Sequence, residues 1–542
     1  MRGVISSIIL LVHIGSVQCV ASKLNSRQDY PPVNPFIAMY AFELEGKTLS
    51  IDGETILPNT SLSEIYQAVN FKPIWGDMQN RFDLYTVINE AYYEGLNPEH
   101  YHIHFIKKHI VTLRGKPKNE KSIAMADIVM TDALLSYSHH LINGKLDSEA
   151  LTTKWDYGNI QSDNTFQLLH HLNKNTLKEA IDSAKSSLAI YKEFKEVFAN
   201  YDSISRNGGQ LPNLEYPGTK VEIGDTLPSI EHLKTHLSAY YYPQLVINEI
   251  FDADLLDAII DFQMRNGLNP DGIVGKKTYQ ALNISLNERL NILRINMERL
   301  RWLNNKLPQN YIMVNIASFY LHMVSKDKSS YHCRVVVGKE IDQTPVFSSS
   351  IKYIVFNPSW NIPYSIASEE ILPKLKTNKT YLQERDMVLL QNGQEVKPSK
   401  INFHNYTKDN FPFTIRQEPG YNNSLGIVKF MFPNPYAVYL HDTPSKSLFK
   451  KAERAFSHGC IRVENPLYLA EQLLTTQGYT RKKINGIITS GLTHTVHLSQ
   501  DIPIILIYMT CDDNKDNGKV SFYRDIYGQD QRILEELKKG KY

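Results

Sequence analysis

At 542 residues the chain exceeds what a single hydrophobic core supports, so several domains are expected. Hydrophobic residues make up 42% and charged residues 21%, a composition that excludes disordered and fibrous classes. A net charge of +2, with both signs interspersed, excludes the concentrated basic face that a nucleic-acid binder needs.

Met1-Arg2 leads into an apolar run from Val4 to Val17, with small residues at Ala21 and Ser22. That pattern predicts a secretory signal over residues 1–22, an uncleaved N-terminal anchor being the alternative. Residues 23–218 are predicted as an α-helical scaffold. A linker marked by Pro31, Pro32 and Pro35 opens it, and helical spacing then holds at Ile65, Ala68 and Val69 and at Leu84, Val87, Ile88 and Ala91. The run from Ala126 to Leu141 continues the pattern, and Gly144 is the expected stop. Gly208-Gly209, Pro212 and Pro217-Gly218 mark a second linker.

Residues 224–285 read as a small three-helix module. Leu227, Ile230, Leu233 and Leu237 suit its first helix and Leu255, Ile259 and Phe262 its second; a third begins near Gly275, after an Asp271-Gly272 turn. A helix over 286–305 is expected to pack back on the scaffold. After Pro308 the period moves toward 2, and residues 308–511 are predicted as a mostly β domain. Its strands are expected at Tyr311–Ala317, Cys333–Val337, Ile351–Phe356, Ala437–His441 and Ile502–Met509. Within it, residues 363–426 form a long polar, Pro-containing stretch with a helical start at Ala367–Leu375, read as a lid insertion. Residues 512–542 remain as a C-terminal segment, Asp512 to Lys519 reading as a charged surface loop. The fold class expected is multidomain α+β.

If Cys19 leaves with the signal, Cys333, Cys460 and Cys511 remain, and in an oxidising compartment an odd number leaves a thiol unpaired. The chemistry gathers around one of them. Tyr439-Leu440-His441-Asp442-Thr443-Pro444 is followed by Arg454-Ala455-Phe456-Ser457-His458-Gly459-Cys460-Ile461-Arg462-Val463. A thiol attacks a carbonyl as thiolate and needs a base or a positive neighbour, for which His441 and His458 are both candidates. Gly459 lets backbone approach a substrate and present N–H groups to an oxyanion. Cys333 and Cys511 read as inert strand thiols. No metal or organic cofactor is expected, because no His/Cys/Asp/Glu cluster has ligand spacing; the pairs His139-His140 and His170-His171 read as surface.

The stretch from His441 to Arg462 closely resembles the YkuD-type L,D-transpeptidase family, whose signature is a histidine followed by Ser/Thr-His-Gly-Cys and an Arg or Asn two positions on. The spacing of 19 (460 − 441) suits the larger YcbB-like members. Asn357-Pro358-Ser359-Trp360-Asn361-Ile362-Pro363, Arg416-Gln417-Glu418-Pro419-Gly420 and Lys429-Phe430-Met431-Phe432-Pro433-Asn434 resemble further family segments. The three-helix module, with Phe262-Gln263, Asp271-Gly272 and Val274-Gly275, looks like a peptidoglycan-binding domain. Pro73-Ile74-Trp75 and Gly95-Leu96-Asn97-Pro98 match the scaffold of that subgroup.

The resemblance implies that Cys460 is the nucleophile and His441 its general base, oriented by a backbone carbonyl. It implies that His458 holds the loop or assists the oxyanion, with N–H groups around Gly459 and Cys460 and the Tyr439 hydroxyl stabilising the intermediate. Arg462 would position the loop or a substrate carboxylate, Trp360 would line the donor cleft, and Ser457 would belong to the substrate-binding set. The implied reaction joins peptidoglycan stem peptides by 3→3 crosslinks in the periplasm. Implied partners are stem peptides and glycan, cell-wall synthases, and carbapenems as acylating inhibitors. The rival enzyme is an L,D-carboxypeptidase, which gives the same thioester to water. A wall-binding scaffold with a dead catalytic domain would need loss of Cys460 or His441, and both are present.

Overall fold

In a computed structural model, the described residues are 34–112, 119–151, 155–156, 164–209, 211–303, 307–326, 328–514 and 519–540. The predicted signal segment lies outside them. No helix among the described residues is long and apolar enough to cross a membrane.

The N-terminal part is helical, as its spacing predicts, with one small hairpin, β1 (Leu49–Ile51) and β2 (Glu54–Ile56). Pro35, read above as linker, instead opens the helix Pro35–Glu43; its missing N–H costs nothing in a first turn, and Asn34 caps the Phe36 and Ile37 amides. The helix Glu120–Asn143 runs through the core of this region. Its buried Asp127 accepts the Ile74 and Trp75 amides and the Tyr66 hydroxyl, while Thr131 receives the Trp75 indole. Those partners account for Pro73-Ile74-Trp75 as a docking turn.

The small module consists of the helices Pro228–Tyr240, Ala253–Arg265 and Lys276–Leu282 around one core. Gln263 donates to Asp271 and the Ile273 carbonyl and accepts the Gly272 amide, so this motif builds a turn. The helix Leu286–Trp302 packs on the scaffold helix Ala189–Arg206 on one side and on the β domain on the other. Its fully buried Arg301 pairs with Glu298 and donates to the Glu94 carbonyl and the Tyr191 hydroxyl, so its charge is compensated where water is excluded.

A scaffold strand missed by the sequence reading, β3 (Trp155–Asp156), adds to the β domain's sheet. The sheet strands of that domain are β4 (Asn310–Asn315), β5 (Tyr320–Ser325), β6 (Lys328–Gly338) and β7 (Val346–Phe356). Outside this sheet, β8 (Trp360–Asn361), β9 (Met387–Gln391), β10 (Gln394–Val396) and β11 (Thr414–Gln417) belong to the insertion. The sheet resumes with β12 (Val428–Met431), β13 (Leu440–His441), β14 (Ala455–Ser457), β15 (Ile461–Val463) and β16 (His494–Ile507). The pairing order β12-β13-β15-β6-β5-β4-β16-β7 closes on itself, because β7 also pairs with β12. Closure leaves no edge along that ring for another chain to extend.

Three expectations are corrected. The strand expected over Ala437–His441 is only Leu440–His441: Ala437 has φ +54°, and Asn434 ties the preceding turn by accepting the Tyr436 and Val438 amides. Of the loop predicted over Asp512 to Lys519, the first residues belong to β17 (Cys511–Asn514), which pairs antiparallel with β18 (Lys519–Phe522), and residues 515–518 lie outside the described residues. The insertion, read as polar and loop-rich, is a folded subdomain. A four-stranded sheet in the order β10-β9-β11-β8 packs with the helical segment Ile366–Thr377 around Ile371, Leu375, Leu389, Phe403, Phe413 and Ile415. Its strands are so short that alternation never builds into a visible period.

Candidate active site

The site follows from alternation on three neighbouring strands. Val428 and Phe430 of β12, Leu440 of β13, and Ile461 and Val463 of β15 point into the core and are fully buried. The residues between them therefore share the opposite face. Register places Lys429 opposite His441 and His441 opposite Arg462, giving one row of three basic side chains across three strands. One step back along both chains, the Ile461 amide donates to the Tyr439 carbonyl at 3.1 Å, setting Tyr439 beside Cys460.

Cys460 is half-buried, and its thiol contacts the Ala437 carbonyl at 3.8 Å. The Tyr439 hydroxyl faces both this thiol and Trp360, and Arg462 and Lys429 act on the thiol through their charge. Burial nonetheless raises the thiol above its ordinary value, the Tyr439 contacts and the two cations opposing it. His441 is buried, its Nδ1 at 2.5 Å from the Asp442 carbonyl and its ring also bonded to the Leu425 backbone. Burial, then the charge of Arg462, with a further contribution from Lys429, lowers it to about 3, so its imidazole is neutral at working pH. No hydrogen bond joins His441 to Cys460. They sit diagonally across the β13–β15 pair, and such contacts between candidate base and nucleophile often tighten only when substrate binds.

Such a site holds a neutral thiol beside a neutral imidazole. The rate at which iodoacetamide alkylates Cys460 is therefore expected to rise continuously from neutral into alkaline pH, with no plateau near neutrality. A preformed thiolate–imidazolium pair would show that plateau in the same stopped-time mass measurement.

The turn that carries Cys460 is held from both sides. Gly459 has φ +104°, which other residues rarely adopt, and its carbonyl accepts the Thr344 hydroxyl at 2.8 Å. Thr344 in turn accepts the Gly338 amide, and the Tyr527 hydroxyl bridges the Thr344 amide and the Gly338 carbonyl. Ser457 is buried, donates to the Cys460 carbonyl at 2.6 Å and accepts the Gly459 amide at 3.2 Å. Its hydroxyl is bonded within the turn. The Gly459 N–H is engaged by the same hydroxyl.

His458 is exposed and binds Glu370 of the insertion at 2.5 Å, tying the insertion to the turn that carries Cys460. Trp360 is half-buried and packs against the insertion's core. Arg462 is half-buried, and its Nε is buried with no hydrogen-bond partner. Cys333 and Cys511 are buried free thiols on strands, both raised by burial, Cys333 to about 11. Among the described residues no three His, Cys, Asp or Glu side chains gather as a metal would require.

Sequence reasoning did not single out Thr344, and it quoted Lys429, Asn434 and Asp442 within motifs without giving them a role. Asp442 had a signal, lying next to His441: its carboxylate accepts the Ile427 amide and pairs with Lys446. It packs against Gly426 at φ +60°, where a Cβ would stand 2.3 Å from the carboxylate. That fit delivers the Leu425 carbonyl to His441.

Residues 309–485 match the family described as the L,D-transpeptidase catalytic domain. Residues 60–197 match a scaffold-domain family and residues 226–282 a peptidoglycan-binding domain family. A Haemophilus influenzae protein named "Putative L,D-transpeptidase" is 34% identical over 312 residues, which cover 56% of this chain and 59% of that relative. A solved L,D-transpeptidase structure (residues 123–326) from Xylanimonas cellulosilytica is 13% identical, with a TM-score of 0.18; the match covers 55% of this chain and all of the other. That score carries no weight for the fold.

Proposed function

Since the chain carries a YkuD L,D-transpeptidase catalytic domain beside scaffold and peptidoglycan-binding domains, we propose that it forms 3→3 crosslinks between peptidoglycan stems through a Cys460 thioester. The observation that supports this is the convergence of Cys460, Tyr439, His441 and Arg462 on one face of the neighbouring strands β13 and β15. In the donor, a tetrapeptide stem, the Cys460 sulfur attacks the carbonyl of the third residue, a meso-diaminopimelate. His441 takes the thiol proton while the Cys460 N–H and Tyr439 hydroxyl stabilise the oxyanion. As the intermediate collapses, the C–S bond stays, the C–N bond breaks and D-alanine leaves with the proton. The side-chain amine of a second stem then attacks the thioester, forming the amide and returning the thiol.

Export to the periplasm, glycan contact by the small module and supply of stems by cell-wall synthases complete this reading. The experiment is incubation of the purified protein with disaccharide-tetrapeptide, read by mass. Crosslinked dimer is expected, and tripeptide alone would make the protein an L,D-carboxypeptidase. Carbapenems are expected to add one drug mass to the wild type and none to Cys460→Ala. An adduct that persists in the variant would move the nucleophile to another residue.

A further inference from the structure

Two cations stand at this site without an acid. Lys429 and Arg462 flank His441 in one row, one strand to either side of it. Cross-strand neighbours in such a row sit about 5 Å apart at Cβ. Both are half-buried, and among the described residues neither forms an ion pair or side-chain hydrogen bond. The nearby acids are engaged elsewhere: Asp442 with Lys446 and the Ile427 amide, and Glu370 with His458. The Lys429 ammonium stands 5.6 Å over the Tyr439 ring, whose hydroxyl faces the thiol. Buried positive charges are costly unless paired, and the Arg462 Nε is a buried donor with nothing to bind. The arrangement is that of an anion site waiting for its anion.

Resting on the reaction proposed above, we propose that Lys429 and Arg462 together bind the carboxylate of the donor's leaving residue, and that Lys429 is the specificity-determining residue for that terminal carboxylate. Reach argues for this group. The leaving residue's carboxylate lies two bonds beyond the scissile nitrogen, about 4–5 Å from the attacked carbon, which matches one cross-strand step. A side-chain carboxylate on the attacked residue lies several bonds further off. Burial is the main reason that His441 resists protonation, and the charges of Arg462 and Lys429 add to it; a bound carboxylate offsets that added part, so the base gains strength when the correct donor end is seated.

The test compares alkylation of Cys460 in the full-length protein by iodoacetate and by iodoacetamide. The two reagents differ by one carboxylate beside the reacting carbon. Thiolate fraction and access affect both rates, so their ratio isolates carboxylate recognition. In the wild type the iodoacetate-to-iodoacetamide ratio is expected to exceed that of a free cysteine peptide by about tenfold at low salt. Lys429→Met should bring it down several-fold, Arg462→Met likewise, and Lys429→Arg should keep it. A wild-type ratio equal to that of the peptide, or an unchanged ratio in Lys429→Met, overturns the proposal. Lys429→Met should also raise KM for disaccharide-tetrapeptide, but not for its C-terminal amide. An equal rise for both overturns the assignment to the leaving residue. A protein that shows the alkylation preference yet makes no crosslinks would sink the crosslinking reading and leave the carboxylate site standing.

Discussion

Cys460→Ala is expected to abolish carbapenem acylation and crosslinking together, a loss on the order of 10³-fold or more in turnover, with folding retained. The turn that presents the sulfur does not depend on it. Thr344 and Ser457 hold the backbone by hydrogen bonds to main-chain atoms of Gly459 and Cys460, and the Gly338 amide fixes the Thr344 hydroxyl in turn. The thiol's own contact is a long one, to the Ala437 carbonyl. Exchanging a half-buried sulfur for a methyl group should change stability by about 1 kcal/mol or less. Thermal unfolding of both proteins, read beside intact mass after drug treatment, checks the two halves separately. Residual crosslinking in a folded Cys460→Ala protein would remove Cys460 from the reaction.

The second large effect concerns the insertion. A thioester awaiting an amine competes with bulk water, and a cover over the cleft favours transfer. The insertion has a rigid core of its own and reaches the nucleophile turn through Glu370 and His458. It can also be removed cleanly. Its ends are neighbours in a ladder, Trp360 facing Gln417 and Asn361 facing Arg416, so a short Gly/Ser linker replacing residues 366–412 has only a short gap to span. That variant is expected to keep carbapenem acylation and to move product from dimer toward tripeptide by several-fold. Glu370→Gln, which weakens one contact only, should move it the same way by less. An unchanged ratio in a folded, acylated deletion variant would mean the insertion does not shield the thioester.

What could be read from the sequence is what chain-local spacing encodes. The helical period of the N-terminal half, the turn from helical to alternating pattern after Pro308, and the nineteen-residue step from His441 to Cys460 are all short-range features. They sufficed to single out Cys460, His441 and Gly459 as candidates. Tertiary structure alone decided what depends on neighbours distant along the chain. Lys429 reads as an ordinary lysine until β12 and β13 pair and set it opposite His441. The scaffold strand Trp155–Asp156 is too short for a period, and its partner lies almost two hundred residues on. The insertion looked unstructured because its core gathers single apolar residues from many short segments. Ser457 reads as a substrate residue in a motif, and only the closed turn shows its hydroxyl bonded to the Cys460 carbonyl. In each case the sequence states which groups are present. Their charge state, partners and exposure are set by the strands that fold beside them, because desolvation and hydrogen bonding are properties of surroundings.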